Sequence, residues 1–502
     1  MNKKLLLIVP ATLLVLASCG KSQDPSGSEQ KSSESPVSES SAPTSSGKSI
    51  IPDKKPHPWI DEDHAVSIQW DNTFSYTDAI ATLIADFAEL EPNVTIVNNK
   101  ISGDYSAIEK QEIMGIPTLE YSSLVTCYPD HVADYLDYGI AVDFEDYMFG
   151  EYGFTDEEYE DIVAEYLKEG QTFYDDGTFV MPQSKSIEPM YYNNKILGVT
   201  IPGVNDSKPI TEAYINSLTW EELFDVFCPA VKAYNDAADA KDKIYDATDA
   251  KSCIVGYDSD DNFFISLAKQ YGYGYTSIDE ASGNGKIDFN NDGMKALMKK
   301  LNGYYKAGYL QTQGTNGTYT SNLATTNKCL ISIGSSAGAK NQFSSTLKFD
   351  VGVSPLPYAK DGRRAVISQG PSMAFFDHND ENRAKAAWLF YRFFSTTEYN
   401  TRWAIASNYL PIRYSVYEDT RYSAFAVVAD KAPNTAEMCK ARTGVAAKAT
   451  APYLYTSPVF KGSSEARTQV KALLTECLTT DDIDGSIDSI FKKAYDNTLL
   501  KI

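Results

Sequence analysis

The chain has 502 residues, enough for more than one hydrophobic core, and 43% of them are hydrophobic, with 34 tyrosines among them. Its formal charge of −23 repels phosphodiester backbones, so no nucleic-acid partner is expected, and an anionic ligand would need locally placed cations. The seven cysteines are scattered without a CxxC pair, and His57, His64, His131 and His378 are isolated, so the spacing supports neither a zinc site nor a dense disulfide framework. No metal and no cofactor are expected, and no disulfide pairing is assigned.

In chain order, Lys3 and Lys4 precede an apolar run from Leu5 to Leu16 that is too short to span a bilayer as a mature helix. Leu16-Ala17-Ser18-Cys19 follows and resembles a bacterial lipobox, in which the signal is cut before the cysteine and the cysteine is lipidated. That resemblance implies a signal peptide over 1–18, lipid on Cys19, and an extracytoplasmic protein anchored to the bacterial cell membrane. Residues 19–58 are rich in Ser, Pro and Glu, too poor in apolar surface to order themselves, and read as a flexible tether.

The alternation in 66–70 predicts a strand ending in Trp70. Ile80, Leu83, Ile84 and Phe87 then recur at helical spacing over 76–91, with Thr77 as the cap and Pro92 beyond the end. A second strand follows at 94–97, giving the opening unit of a parallel sheet. Trp70 therefore falls at the carboxyl end of a strand, where open α/β sheets bind ligands. A further strand at 124–127 leads into Tyr128-Pro129-Asp130. Thr219-Trp220-Glu221-Glu222 is a capping box. Asp288 to Gly293 imitates the start of a calcium loop, but its twelfth position is Lys299, so a polar turn before a helix is expected. Gly334-Ser335-Ser336-Ala337-Gly338 satisfies G-x-S-x-G after a strand, the nucleophile-elbow pattern, so a secreted serine hydrolase using Ser336 is the alternative function. Only His378 lies downstream of it, in a polar turn. Over 385–405, Trp388, Leu389, Phe390, Phe393 and Trp403 predict a buried helix pair, and Pro411 ends helicity just after Tyr409.

Several of these stretches resemble extracellular solute-binding proteins of carbohydrate-type ABC importers, most closely the branch that binds glycerol phosphate and its diesters. Trp403 with Tyr409-Leu410-Pro411 resembles that branch's closing helix pair. Pro182, Ser184-Lys185-Ser186 and Tyr191-Tyr192-Asn193 resemble the first passage between its lobes. Ser335-Ser336 resembles its Ser-Ser-Gly strand, and Gly370 occupies its second passage, where the relatives carry a glycine pair and this chain has Gln369-Gly370. Gly103-Asp104-Tyr105 and the later Arg467 match cleft positions as well.

The resemblance implies an α/β, two-lobe periplasmic-binding-protein-like fold of type II, with three interlobe crossings. Lobe 1 is expected over 59–183 and 367–410, and lobe 2 over 184–366 and 411–502. It implies capture rather than catalysis. A sugar, oligosaccharide, glycerol phosphate or glycerophosphodiester would be enclosed by hinge closure and passed to the permease subunits, by a protein acting as a monomer. Trp70, Tyr105 and Tyr409 are expected to pack on the ligand body. Ser186, Ser335, Ser336 and Arg467 are expected to fix its polar end, Asp130 to take hydroxyls, and Gly370 to let ligand approach the backbone.

Overall fold

Two five-stranded sheets carry the fold, each with its own core. The computed structural model describes residues 58–502 apart from 174–176, 280, 377 and 429. The chain groups into two units, 1–44 and 45–502. The first unit, on which the expected signal segment and Cys19 fall, lies outside the described residues, as does the expected tether to residue 57.

The strands are β1 (Val66–Asn72), β2 (Val94–Lys100), β3 (Leu124–Cys127), β4 (Met181–Pro182), β5 (Met190–Asn193), β6 (Cys253–Tyr257), β7 (Thr276–Ile278), β8 (Gly285–Ile287), β9 (Leu310–Thr312), β10 (Cys329–Ile333), β11 (Val351–Ser354), β12 (Val366–Ile367), β13 (Ser372–Phe375) and β14 (Leu454–Tyr455). The first sheet has the order β2-β1-β3-β13-β4 and the second β11-β5-β10-β6-β9. In each sheet three strands run parallel: β1 between β2 and β3, and β6 between β10 and β9. The strands arriving from the other sheet, β13 and β5, run antiparallel to their neighbours. Strands β3 and β6 are buried at every position, as expected of strands covered on both faces.

Helix Thr77–Leu90 buries Ile80, Leu83 and Phe87 against the first sheet, and Thr77 is its first residue rather than its cap. Helix Glu381–Phe394 buries every residue from Ala386 to Phe394 in the same core, and its neighbour Thr397–Ser407 ends where Asn408 turns left-handed at φ 62°. Asn is among the few residues that tolerate that region, so the chain leaves the helix sharply and presents Tyr409. In the second half, Thr219 Oγ1 accepts from Glu222 N–H as the capping box predicts, and Asn291 caps helix Asp292–Lys306 at the false calcium loop. The six cysteines of the described residues are buried free thiols.

The chain leaves the first sheet between β4 and β5 and returns between β12 and β13. The expected boundary at 410/411 is corrected. The short helices Tyr414–Glu418 and Thr420–Phe425 follow Pro411 and pack Val416 and Tyr422 on Ala404 of the first lobe. The chain reaches the second lobe at helix Ala436–Thr450, which packs against β11 and the short helix after β10. Val416 and Tyr422 find an apolar face on the preceding helix, which is what holds this segment back.

Trp70 is corrected too. Strand β1 runs on to Asn72, so Trp70 lies inside the strand and not at its end. Its ring is wholly buried against Phe74 and Phe390, and its indole N–H donates to Thr126 Oγ1 at 2.9 Å. It is a core residue. Trp70→Ala is expected to cost about 3–5 kcal/mol in urea unfolding, whereas Trp70→Phe should leave solute affinity unchanged by calorimetry; an affinity loss with Phe would return this ring to the binding surface.

Candidate functional site

Parallel strands bring their carboxyl ends to one edge, and the turns that follow them carry whatever meets a ligand there. In the first sheet, β2 leads to Asp104 and Tyr105, and β3 leads to Tyr128. In the second, β6 leads to Asp258 and Ser259, β9 to Gln313, and β10 to Gly334 and Ser335. Residues from both sets line one chamber of about 750 Å³. Its volume falls within the range of small-molecule sites.

One wall is aromatic. Tyr76, Tyr105, Tyr128 and Tyr409 line it from the first lobe. The rings of Tyr105 and Tyr128 meet edge to face at 4.8 Å, and the hydroxyls of Tyr105 and Tyr409 lie 3.2 Å apart. Phe74 supports Tyr409 from behind at 6.0 Å. Burial holds the Tyr409 phenol up at about 12, so this ring is uncharged at any physiological pH.

The opposite wall is polar. Glu188, Asp258, Asp261, Gln313, Ser335 and Gln342 line it from the second lobe. Ser335 is half-buried, and its hydroxyl accepts from Ala337 N–H at 3.3 Å. Glu188 is buried; Tyr257 donates its hydroxyl to it at 2.6 Å and Asn262 its amide at 3.0 Å. Burial lifts the Glu188 carboxyl from 4.5 to about 8, against those two donors, which favour the anion.

Arg467 stands where the chamber narrows into a smaller space of about 80 Å³ shared with Asp130, Glu169 and Gly370. Its guanidinium donates to Asp130 at 3.0 Å, to Asp261 at 2.9 Å and to Asn262 Oδ1 at 2.6 Å. Asp130 comes from the first lobe and Asp261 from the second, so Arg467 bridges them. Burial opposes its charge, but the two carboxylates outweigh that and hold it protonated well above the usual range. Arg467 in turn holds Asp261 below its ordinary value, overcoming the opposing effect of burial.

The chamber therefore gathers Tyr105, Ser186, Ser335, Gly370, Tyr409 and Arg467 from the expected set. Three residues stand apart from that set's simple reading. Asp130, expected to take hydroxyls, gives Oδ2 to Arg467 and faces the smaller space. Ser336 is wholly buried behind the wall, its Oγ accepting from Ile187 N–H at 3.2 Å and its carbonyl from Asn408 Nδ2 at 2.7 Å. It holds backbone together across the lobes and offers no nucleophile, while His378 stacks on Tyr121 in the first lobe. The serine-hydrolase alternative therefore has no support. Gly370, at φ 98°, is glycine because a Cβ would meet Ser184 O at 2.0 Å. The first passage demands it, whatever the ligand.

Sequence reasoning missed Tyr76, Tyr128, Glu188, Asp258, Asp261 and Gln342. For Asp258 a signal existed: it ends the apolar run 253–257, as an acid at a strand's carboxyl end. Among the described residues no helix is long and apolar enough to cross a membrane, and no cluster suits a metal ion.

A profile of the family described as bacterial extracellular solute-binding protein matches residues 62–432. A search of curated proteins gave no match. Solved structures share the fold at low identity. UgpB from Mycobacterium tuberculosis in complex with glycerophosphocholine aligns at TM-score 0.65 and 16% identity, over 87% of this chain and 98% of its own. The cyclic alpha-maltosyl-1,6-maltose binding protein from Arthrobacter globiformis aligns at 0.60 and 16%, over 86% and 98%. A Listeria monocytogenes ABC substrate-binding protein in complex with cycloalternan aligns at 0.62 and 14%, over 86% and 97%.

The Glu188 shift fixes the sign of a pH effect. Its folded-state value is raised, so the native state holds a proton that the unfolded chain releases above about 4.5. The stability this carboxyl contributes is complete below that point and is lost as pH rises through about 8. Glu109 and Glu112, raised by burial to about 9 and about 8, act in the same direction. Melting temperature should therefore fall between pH 5 and pH 9, less steeply in Glu188→Gln than in the wild type. Parallel profiles by scanning calorimetry would remove Glu188 from this account.

Proposed function

The chain belongs to the bacterial extracellular solute-binding protein family, and from that premise we propose that it captures a neutral, polyhydroxylated solute, a sugar or an oligosaccharide. It then delivers that solute to the permease subunits of an ABC importer, as a monomer held outside the cell membrane by lipid on Cys19. The observation that carries the reading is the pairing of a tyrosine wall with a wall of hydroxyls, amides and carboxylates across one chamber. A pyranose has the same two-sided character. Its apolar C–H face packs on an aromatic ring, and its hydroxyl edge needs many donors and acceptors at once.

The cations favour a neutral solute over a glycerol phosphate. Arg467 is already matched by two carboxylates, and a phosphate would have to displace at least one of them. Lys340 and Lys471 line the chamber but are exposed, where an ion pair contributes little. A hydroxyl, by contrast, can join the Arg467 cluster without breaking it.

Capture follows from the hinge. The wall residues come from two lobes, so a solute that touches both favours the closed arrangement by its differential contacts. Arg467–Asp130 and Lys461–Asp137 are ion pairs that link the lobes in this arrangement.

Calorimetry with maltotriose, other neutral oligosaccharides, glycerol 3-phosphate and glycerophosphocholine tests the reading. Neutral saccharides should bind and the two phosphates should not; binding of the phosphates alone would overturn it. Tyr409→Ala and Tyr105→Ala should each weaken saccharide binding about tenfold or more, roughly 1.4 kcal/mol, with little change in melting temperature.

A further inference from the structure

A second gap between the lobes has no part in the chamber. Its volume of about 480 Å³ is that of a small-molecule site. Lys168 and Phe173 line it from the first lobe, Lys269 and Ile278 from the second, and Tyr455 and Pro458 from the segment that runs beside them. It shares no lining residue with the chamber among those described. Thr172, Thr456 and Pro458 line both this gap and the small space at Arg467, so that space lies between the gap and the chamber. The chain passes from lobe to lobe just beyond Pro458: Val459 is buried in the core of the first lobe and Phe460 in that of the second. The gap is therefore at the pivot, on the far side of the small space.

Its chemistry is the reverse of the chamber's. Phe173, Ile278, Leu454 and the ring of Tyr455 give it an apolar body. Lys269 Nζ stands over the Tyr455 ring at 5.3 Å, and Lys168 faces it from helix Ala164–Glu169 of the other lobe. Neither ammonium group has a carboxylate partner among the described residues, whereas Arg467 has two. Glu165 is the one acid among the lining residues described, so the gap keeps a positive charge in excess on a chain of net charge −23.

We propose that this gap is a second binding site, for a small monoanion with a flat apolar body such as an aromatic carboxylate, and that filling it strengthens solute binding in the chamber. The ring packs among Phe173, Ile278 and Tyr455, and that burial supplies the affinity. The carboxylate lies between the two ammonium groups, one from each lobe. An exposed ammonium group contributes little singly, so the pair sets the sign of charge accepted more than the strength of binding. The coupling follows from the pivot. Two gaps on opposite sides of a pivot cannot both narrow, so a body that fills this one holds the lobes where the chamber is shut. Linkage makes the effect reciprocal, and a solute in the chamber favours the anion by the same factor. The site stands on its own geometry; the coupling rests on the capture reading.

Calorimetry on the full chain with naphthoate and its uncharged counterpart naphthamide tests the site. Naphthoate should bind the wild type, and naphthamide should bind about fivefold more weakly or worse. Lys168 and Lys269 are both exposed, so the double variant Lys168→Glu with Lys269→Glu should keep its melting temperature. It should lose naphthoate affinity by about tenfold or more. Naphthoate that fails to bind the wild type, or that binds the charge-reversed variant equally well, overturns the site. The coupling is read by titrating a neutral saccharide that binds the wild type, with and without saturating naphthoate. Saccharide affinity should rise about fivefold in the wild type and stay unchanged in the double variant. An unchanged or lowered affinity in the wild type overturns the coupling. Should no neutral saccharide bind, the saccharide reading falls with the coupling, and the naphthoate titration still decides the site.

Discussion

A buried ammonium group ties this molecule together at its hinge. Lys185 is wholly buried in the first passage between the lobes. Its Nζ donates to Glu169, to Gly370 O at 3.3 Å and to Ser372 Oγ at 2.9 Å. A charge taken out of water must be paired and hydrogen-bonded, and removing one partner of such a pair typically costs about 3–5 kcal/mol. Lys185 therefore fixes what surrounds it. Its own backbone carbonyl accepts from Leu410 N–H at 2.7 Å, and the next residue, Ser186, exchanges two hydrogen bonds with Gln369 at 2.7 and 3.0 Å. Trp403 Nε1 donates to Ser184 Oγ at 2.9 Å. The first passage, the return at 368–371 and the Tyr-Leu-Pro exit are thus laced side by side. Gly370 is compelled here, since any side chain would strike Ser184 O.

From that knot the position of the chamber follows. Ser186 and Gly370 leave the knot and enter the chamber wall directly, and Tyr409 precedes the Leu410 that is bound into it. The chamber is therefore anchored to the part of the molecule where the passages are hydrogen-bonded together. Its other walls are strand-end turns carried by the two sheets. The capture proposed for this chamber needs a fixed floor and walls that can part, and the division between knot and strand-end turns fits that need.

How far the sequence foretold this depends on the physical signal available. The opening strand, helix and strand were legible because period-2 and period-3.6 patterns are local properties of buried faces. Tyr409 was legible because Asn408 and Pro411 punctuate the helix around it. Trp70 was misplaced because the strand's end was set two residues early, and boundaries are where periodicity is weakest. The segment 411–425 was assigned to the wrong lobe, since the contact that decides it, Val416 and Tyr422 on Ala404, is tertiary. Ser336 and Asp130 were named for the right neighbourhood. Their partners, Ile187 and Arg467, lie far away in the chain, so nothing local told a pointing hydroxyl from a buried one.

Electrostatics completes the argument about what the chamber accepts. A protein this acidic could still take an anion if it held an unmatched cation in the cleft. The cation at its narrow end, Arg467, is matched by Asp130 and Asp261, the same wall carries Asp258, and the other cations that line the chamber, Lys340 and Lys471, are exposed. Glu188 answers the shortage of positive charge differently: burial keeps it protonated near neutral pH, so it adds an acid without adding a charge. The wall is thereby rich in oxygen acceptors, its free ammonium groups are the exposed Lys340 and Lys471, and it faces rings that carry no charge. Such a surface is solvated well by water when open, and the solute that can replace that water bond for bond is one that offers hydroxyl donors along an edge and carbon on a face. A phosphate offers acceptors where acceptors already stand. The proposed preference for a neutral polyol thus rests on the whole wall and on no single residue.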